Sequence, residues 1–163
     1  MTRRTAVLGA IVLAVLVAGA TSGATSASPT KSLSGNQLSG AWQATVNLPP
    51  PLPPLLSLQV FAEGGGFTES SNEPPAIRSV LYGSWERIKG RLYAATGIHF
   101  RFDPQTGAYL GTRKVDRTIE LSQDGQSFSA RARATTYDAN GNVLGVGTAT
   151  STGTRIPIDR IPN

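Results

Sequence analysis

Gly40-Ala41-Trp42-Gln43-Ala44-Thr45-Val46 near the front of the chain and Gly153-Thr154-Arg155-Ile156 near its end decide the fold. In the first stretch Trp42, Ala44 and Val46 fall on one face of an extended segment, with Gln43, Thr45 and Asn47 on the other. That is the period of a strand with one dry and one wet side. The last stretch has the same threonine-rich, glycine-broken character. Between the two lie only short runs of the same kind.

Working outward, residues 38–156 divide into eight candidate strands: 38–48, 55–62, 66–71, 79–87, 91–102, 108–121, 126–137 and 143–156. The separators are turn sequences. Glu63-Gly64-Gly65-Gly66, Ile88-Lys89-Gly90, Asp103-Pro104-Gln105-Thr106-Gly107, Gln123-Asp124-Gly125 and Asp138-Ala139-Asn140-Gly141-Asn142 each supply glycine, Asn or Asp where a hairpin needs positive φ. Apolar residues alternate between them, and the dry face is read as Leu56, Leu58 and Val60, then Leu92, Ala94, Ile98, Phe100 and Phe102. His99, between Ile98 and Phe100, is expected to point outward. Glycine, proline and β-branched residues are too frequent for helices, and no 3.6-residue stripe persists. The expected fold is all-β: a single up-and-down antiparallel barrel of about eight strands.

Parity then assigns the loops. In a meander successive connections alternate between the two ends. Pro49-Pro50-Pro51-Leu52-Pro53-Pro54, Asn72-Glu73-Pro74-Pro75-Ala76-Ile77-Arg78 and the turns at 103–107 and 138–142 gather at one rim. The short turns at 63–65, 88–90 and 122–125 gather at the other, with Trp42, Trp85 and Arg155. The first rim is expected to be open and the second packed shut.

Residues 1–27 read as a signal peptide. Arg3 and Arg4 form a positive start, residues 6–20 are an uncharged, mostly apolar run of 15, and small residues follow. A helix of that length reaches about 22 Å, short of the roughly 30 Å hydrocarbon core, so no stable membrane span is expected after cleavage. The expected location is secreted or extracytoplasmic, by the general secretory route or, given Thr2-Arg3-Arg4, the twin-arginine route. Residues 28–37 read as a flexible arm and 157–163 as a C-terminal tail.

Composition narrows the function. The chain has no cysteine, which excludes disulfides, thiolate zinc sites and a cysteine nucleophile. The formal charge is +5, and loss of Arg3 and Arg4 leaves +3. The arginines are scattered, without a basic run or an aromatic-plus-basic cluster, so nucleic acid is not an expected partner. One histidine offers no metal-ligand spacing, and no nucleophile elbow stands in the chain. The oxygen-rich turns at 103–107 and 138–142 read as hairpin turns, not calcium loops. No cofactor is implied.

The Gly40-x-Trp42 pair and the late Arg155 resemble the lipocalin superfamily of eight-stranded barrels. The resemblance covers about 120 residues in architecture and three or four in identity. It implies that Trp42 sits at the closed end, that Arg155 packs across it, and that the loop at 49–54 stands where lipocalins carry a lid. More distantly the chain resembles the allene oxide cyclase and dirigent-type barrels, which suit secreted proteins.

Two sets of residues are candidates for chemistry. Tyr82, Phe100, Phe102 and Tyr109 lie toward the open rim, lining a mouth for an apolar guest or serving as barrel packing. Arg113 and Arg117 alternate with Val115, Ile119 and Leu121, which should face inward. Arg113, nearer the open rim, would then hold a ligand carboxylate or polarise a carbonyl. The alternative is a bulge that turns both arginines to solvent. Gly40, Trp42, Trp85 and Arg155 are the expected barrel-closing residues. The expected function is binding of a small apolar molecule at the proline-lined rim. A cofactor-free cyclase or isomerase and a filled structural or interaction barrel are the alternatives, and an oligomer is compatible with each.

Overall fold

The computed structural model describes residues 37–161; the expected signal peptide, most of the expected arm and the last two residues of the tail lie outside them. Eight strands follow in order: β1 (Gly40–Asn47), β2 (Leu55–Phe61), β3 (Gly66–Ser71), β4 (Leu81–Lys89), β5 (Leu92–Phe102), β6 (Tyr109–Leu121), β7 (Ser127–Tyr137) and β8 (Val143–Arg155). Each pairs antiparallel with the next, and β8 returns to β1, closing the barrel. Closure leaves no unpaired sheet edge. The described residues contain no helix.

One end is filled by aromatic side chains. Trp42 meets Phe128 edge-on with centroids 5.1 Å apart, Phe61 stacks on Phe67 at 4.6 Å, and Trp85 packs against both Phe61 and Tyr93. Leu38, Leu81, Ile119 and Leu121 complete the buried core. The Arg155 guanidinium carbon lies 4.3 Å from the Trp42 ring centroid. Its nitrogens donate to the carbonyls of Gln37, Ser39 and Gly125. Trp42 donates its indole N–H to the Leu38 carbonyl at 2.9 Å, and Trp85 donates to Ala62. The Arg155 guanidinium and both indole N–H groups therefore have backbone partners, which the burial of a cation and two indoles demands. Gly40 permits the arrangement: its φ is +129°, and a Cβ there would meet the Arg155 Nη1 at 2.6 Å.

These aromatics also set the facing of each strand, because the pleat alternates without exception between bulges. Phe61 on the floor turns Gln59 and Ser57 inward, so Leu56, Leu58 and Val60 are exposed outside, opposite to the sequence expectation. Tyr93 on the floor turns Ala95, Gly97 and His99 inward and sends Ile98 and Phe100 out. His99 is thus only 5% exposed, which corrects its assignment to the surface. On β6, Ile119 and Leu121 reach the core, and the pairing with β5 and β7 runs unbroken from Leu121 to Arg113. Arg113 and Arg117 therefore share the inner face with Val115. The irregularity in this hairpin comes beyond them, where Arg101 pairs Gly111 and Phe102 pairs Tyr109.

Candidate functional site

Above the floor the interior changes character. The inward positions of β7 and β8 are small (Ala130, Ala132, Ala134, Ala149 and Ser151), and small side chains leave space. The opposite wall, on β3, β5 and β6, carries charge. A cavity of about 100 Å³ lies between them, toward the end where the long loops gather. Its apolar lining is Val46, Leu48, Leu55, Leu81, Val115 and the alanines; its polar lining is Glu69, Glu73, Arg78, His99, Arg113 and Arg117.

The charges are connected in a defined order. Arg117 pairs with Glu69 and lies 5.1 Å from the Phe67 ring centroid. Arg78 donates from Nη1 to Glu73 Oε2 at 2.9 Å and lies 3.6 Å from Glu69 through Nη2. Glu73 and Arg78 belong to the β3–β4 loop, which is bound to β5: Ser79 N–H donates to the Phe100 carbonyl, and Phe102 N–H to that of Ile77. So two glutamates hold two arginines. Arg113 is left with one hydrogen bond, from Nε to the Thr136 hydroxyl at 3.2 Å, and with no carboxylate partner among the described residues. Burial pulls its pKa below the usual arginine value, and the neighbouring Arg101 pulls the same way against Glu73. Arg78 Nη2, Arg101 Nη1, Arg117 Nη1 and the Glu69 Oε2 acceptor are buried without a hydrogen-bond partner among the described residues.

His99 sits directly across the β5–β6 ladder from Arg113, with both side chains on the inner face. Burial lowers its pKa to about 4, helped by the charges of Arg78 and Arg113 and opposed by a hydrogen bond to the Phe100 carbonyl. The ring is neutral near pH 7. The Nδ1 lies 3.1 Å from that carbonyl, which can only accept, so Nδ1 carries the proton and Nε2 the lone pair.

Of the residues expected to meet a ligand, Arg113 lines the cavity and the four aromatics do not. Tyr82 is 66% exposed on the outer wall, because Leu81 and Trp85 take the inward parity of β4. Phe100 is 53% exposed for the corresponding reason on β5. Tyr109 packs against Phe100 and Phe102 outside the barrel mouth, beyond the register shift at Gly111. The prolines of the 49–54 loop also stand clear of the cavity, whose contact with that loop is through Leu48 and Leu55. Glu69, Glu73, Arg78 and His99 were missed as site residues. Glu69 and His99 would have followed from counting two residues at a time up from Phe67 and Tyr93. Glu73 and Arg78 depend on a loop fold that no periodicity encodes.

The acidic turns are self-contained. Asp103 accepts from the backbone N–H groups of Gln105 and Thr106, and Asp138 from those of Asn140 and Asn142. These bonds, led at Asp138 by one from the Asn142 side-chain amide, hold both carboxyls below the usual aspartate range. No protein family, curated protein or solved structure matches the chain.

Proposed function

We propose that this chain is an exported β-barrel that binds a small molecule in its interior cavity, beneath the rim of long loops. The observation that carries the reading is the division of the barrel into a filled floor and a hollow upper half with one apolar and one charged wall. A barrel serving only as a scaffold gains nothing from holding three guanidiniums and two carboxylates inside, where each charge costs several kcal/mol to desolvate. A binding site does gain, since polar groups placed in an apolar hollow fix the orientation of a guest. The cavity, at about 100 Å³, suits a small molecule or the head of a longer one, not a whole lipid. Export is supported by the charge, length and small-residue pattern of residues 1–27.

The test is native mass spectrometry on protein recovered from the medium of an expressing culture. A chain beginning near Ser28, carrying a non-covalent adduct that is lost on denaturation, supports both parts of the reading. Identical native and denatured masses, with no uptake from a metabolite extract, overturn the binding part.

A second reading, a cofactor-free isomerase or cyclase, is favoured by one observation: neutral His99 and Arg113 are cross-strand neighbours. A base next to a guanidinium can remove a proton while the cation stabilises the resulting oxyanion. Turnover that vanishes in His99→Gln, with binding retained, would distinguish this reading from simple binding.

A further inference from the structure

We infer that the cavity selects an organic monoanion, a small carboxylic acid whose carboxylate is received by Arg113 at the top of the charged wall. This rests on the proposed binding role and adds the chemical class of the guest.

Four arginines stand in or beside the cavity, and only two carboxylates, Glu69 and Glu73, stand with them. Those two are engaged by Arg117 and Arg78. Arg113 is the remainder, and Arg101 lies close enough to it to repel it. The deficit is therefore local to the mouth side of the wall. Such an arrangement is unfavourable by itself, since like charges in a partly dry interior repel. A bound anion removes the repulsion.

A second, independent observation points the same way. The Arg117 side chain is only 8% exposed, lines the cavity, and has a buried Nη1 with no protein acceptor. Arg101 Nη1, outside the cavity lining, is also buried without an acceptor among the described residues. Unmet buried donors are unfavourable, more so when charged, and a donor left unmet in a cavity wall marks the place of an acceptor. The planar fork of a guanidinium matches a carboxylate with two parallel N–H···O bonds. Across the hollow, Val46, Leu48, Leu55 and the alanines of β7 and β8 offer a dry wall for a short hydrocarbon body. Inorganic ions have no use for that wall, and cations are repelled by the opposite one.

The experiment is isothermal titration with hexanoate and benzoate, their neutral amides hexanamide and benzamide, and inorganic phosphate. The expected result is binding of at least one acid, ten-fold or more tighter than its amide and tighter than phosphate. Arg113→Gln should erase that preference, and Arg113→Lys should restore part of it. Because Arg113 makes a single hydrogen bond to the protein, Arg113→Gln should fold, with a Tm unchanged or raised. Equal affinity for acid and amide, or a preference untouched by Arg113→Gln, overturns the inference and leaves the binding role standing. Phosphate binding as tightly as the acids overturns it too, in favour of a site for charge alone. No binding of acid, amide or phosphate overturns the inference, and the binding role falls with it only if the native and denatured masses also agree.

Discussion

The two ends of the barrel interior are built on opposite principles. At the floor, Trp42, Phe61, Phe67, Trp85, Tyr93 and Phe128 fill the space, and the one charge, on Arg155, is closed off by an indole face and three carbonyls. In the upper half the space is part empty, and arginines outnumber glutamates. The floor minimises unmet hydrogen bonds; the upper half keeps several. Burying one cation is tolerable when its donors are satisfied, whereas a cluster with unmet donors persists only where something else is gained. The difference teaches that the aromatic core and the charged, partly empty space occupy separate levels of a single small barrel.

Each level can be attacked separately. The largest effect is expected at the floor. Trp42→Ala removes an indole from a sealed core together with the surface on which Arg155 rests, and should cost about 3–5 kcal/mol in chemical denaturation. A loss below about 1 kcal/mol would mean that the floor is not the stabilising level.

His99 comes next. Its pKa of about 4 in the fold lies below the 6.5 of an unhindered imidazole. The unfolded chain therefore binds more protons between those values. The contribution is full above pH 6.5 and is lost as pH falls toward 4, by about 3 kcal/mol in total. Denaturation at pH 7 and pH 5 should show stability falling with acid in the parent and falling clearly less in His99→Gln. Parallel pH profiles would show that the upper half does not hold this ring neutral.

The smallest expected effect separates pairing from burial within the charged wall. Glu69→Leu strands Arg117, while Arg78 keeps Glu73, and should cost about 2 kcal/mol, less than the roughly 3–5 typical of a sealed pair, because Arg117 lines a cavity. Glu69→Leu combined with Arg117→Leu should recover most of that loss. Failure of the double variant to recover would show that the charges stabilise the barrel beyond compensating each other.

Much of the floor was legible. Strand number and order followed from turn sequences spaced along the chain, and β3 was bounded to the residue, whereas β4 lies two residues later than expected and takes in Ile88 and Lys89. The parity of connections correctly sorted long loops to one end and short turns to the other, because a meander has no freedom in that respect. The facing of β6 was left open between the inward parity of Ile119 and Leu121 and a bulge, and only the unbroken pairing from Leu121 to Arg113 decides it. The facing of β2 and β5 was not legible. Both strands carry large apolar residues on the outside: Leu56, Leu58 and Val60, then Ile98 and Phe100. An apolar-inward rule therefore reverses them. What sets them is a single aromatic at the floor end, Phe61 or Tyr93, packed against residues from other strands. His99 and Glu69 entered the interior as a consequence.

Local chemistry along the chain thus settled the strands, their turns, the antiparallel order and the closure, because hairpins are written in neighbouring residues and an eight-stranded meander closes in one way. Packing between distant strands decided which half of each strand's side chains fills the barrel. It also decided which arginines found carboxylates and which did not, because those contacts join β3, β5, β6 and a loop that no sequence interval brings together.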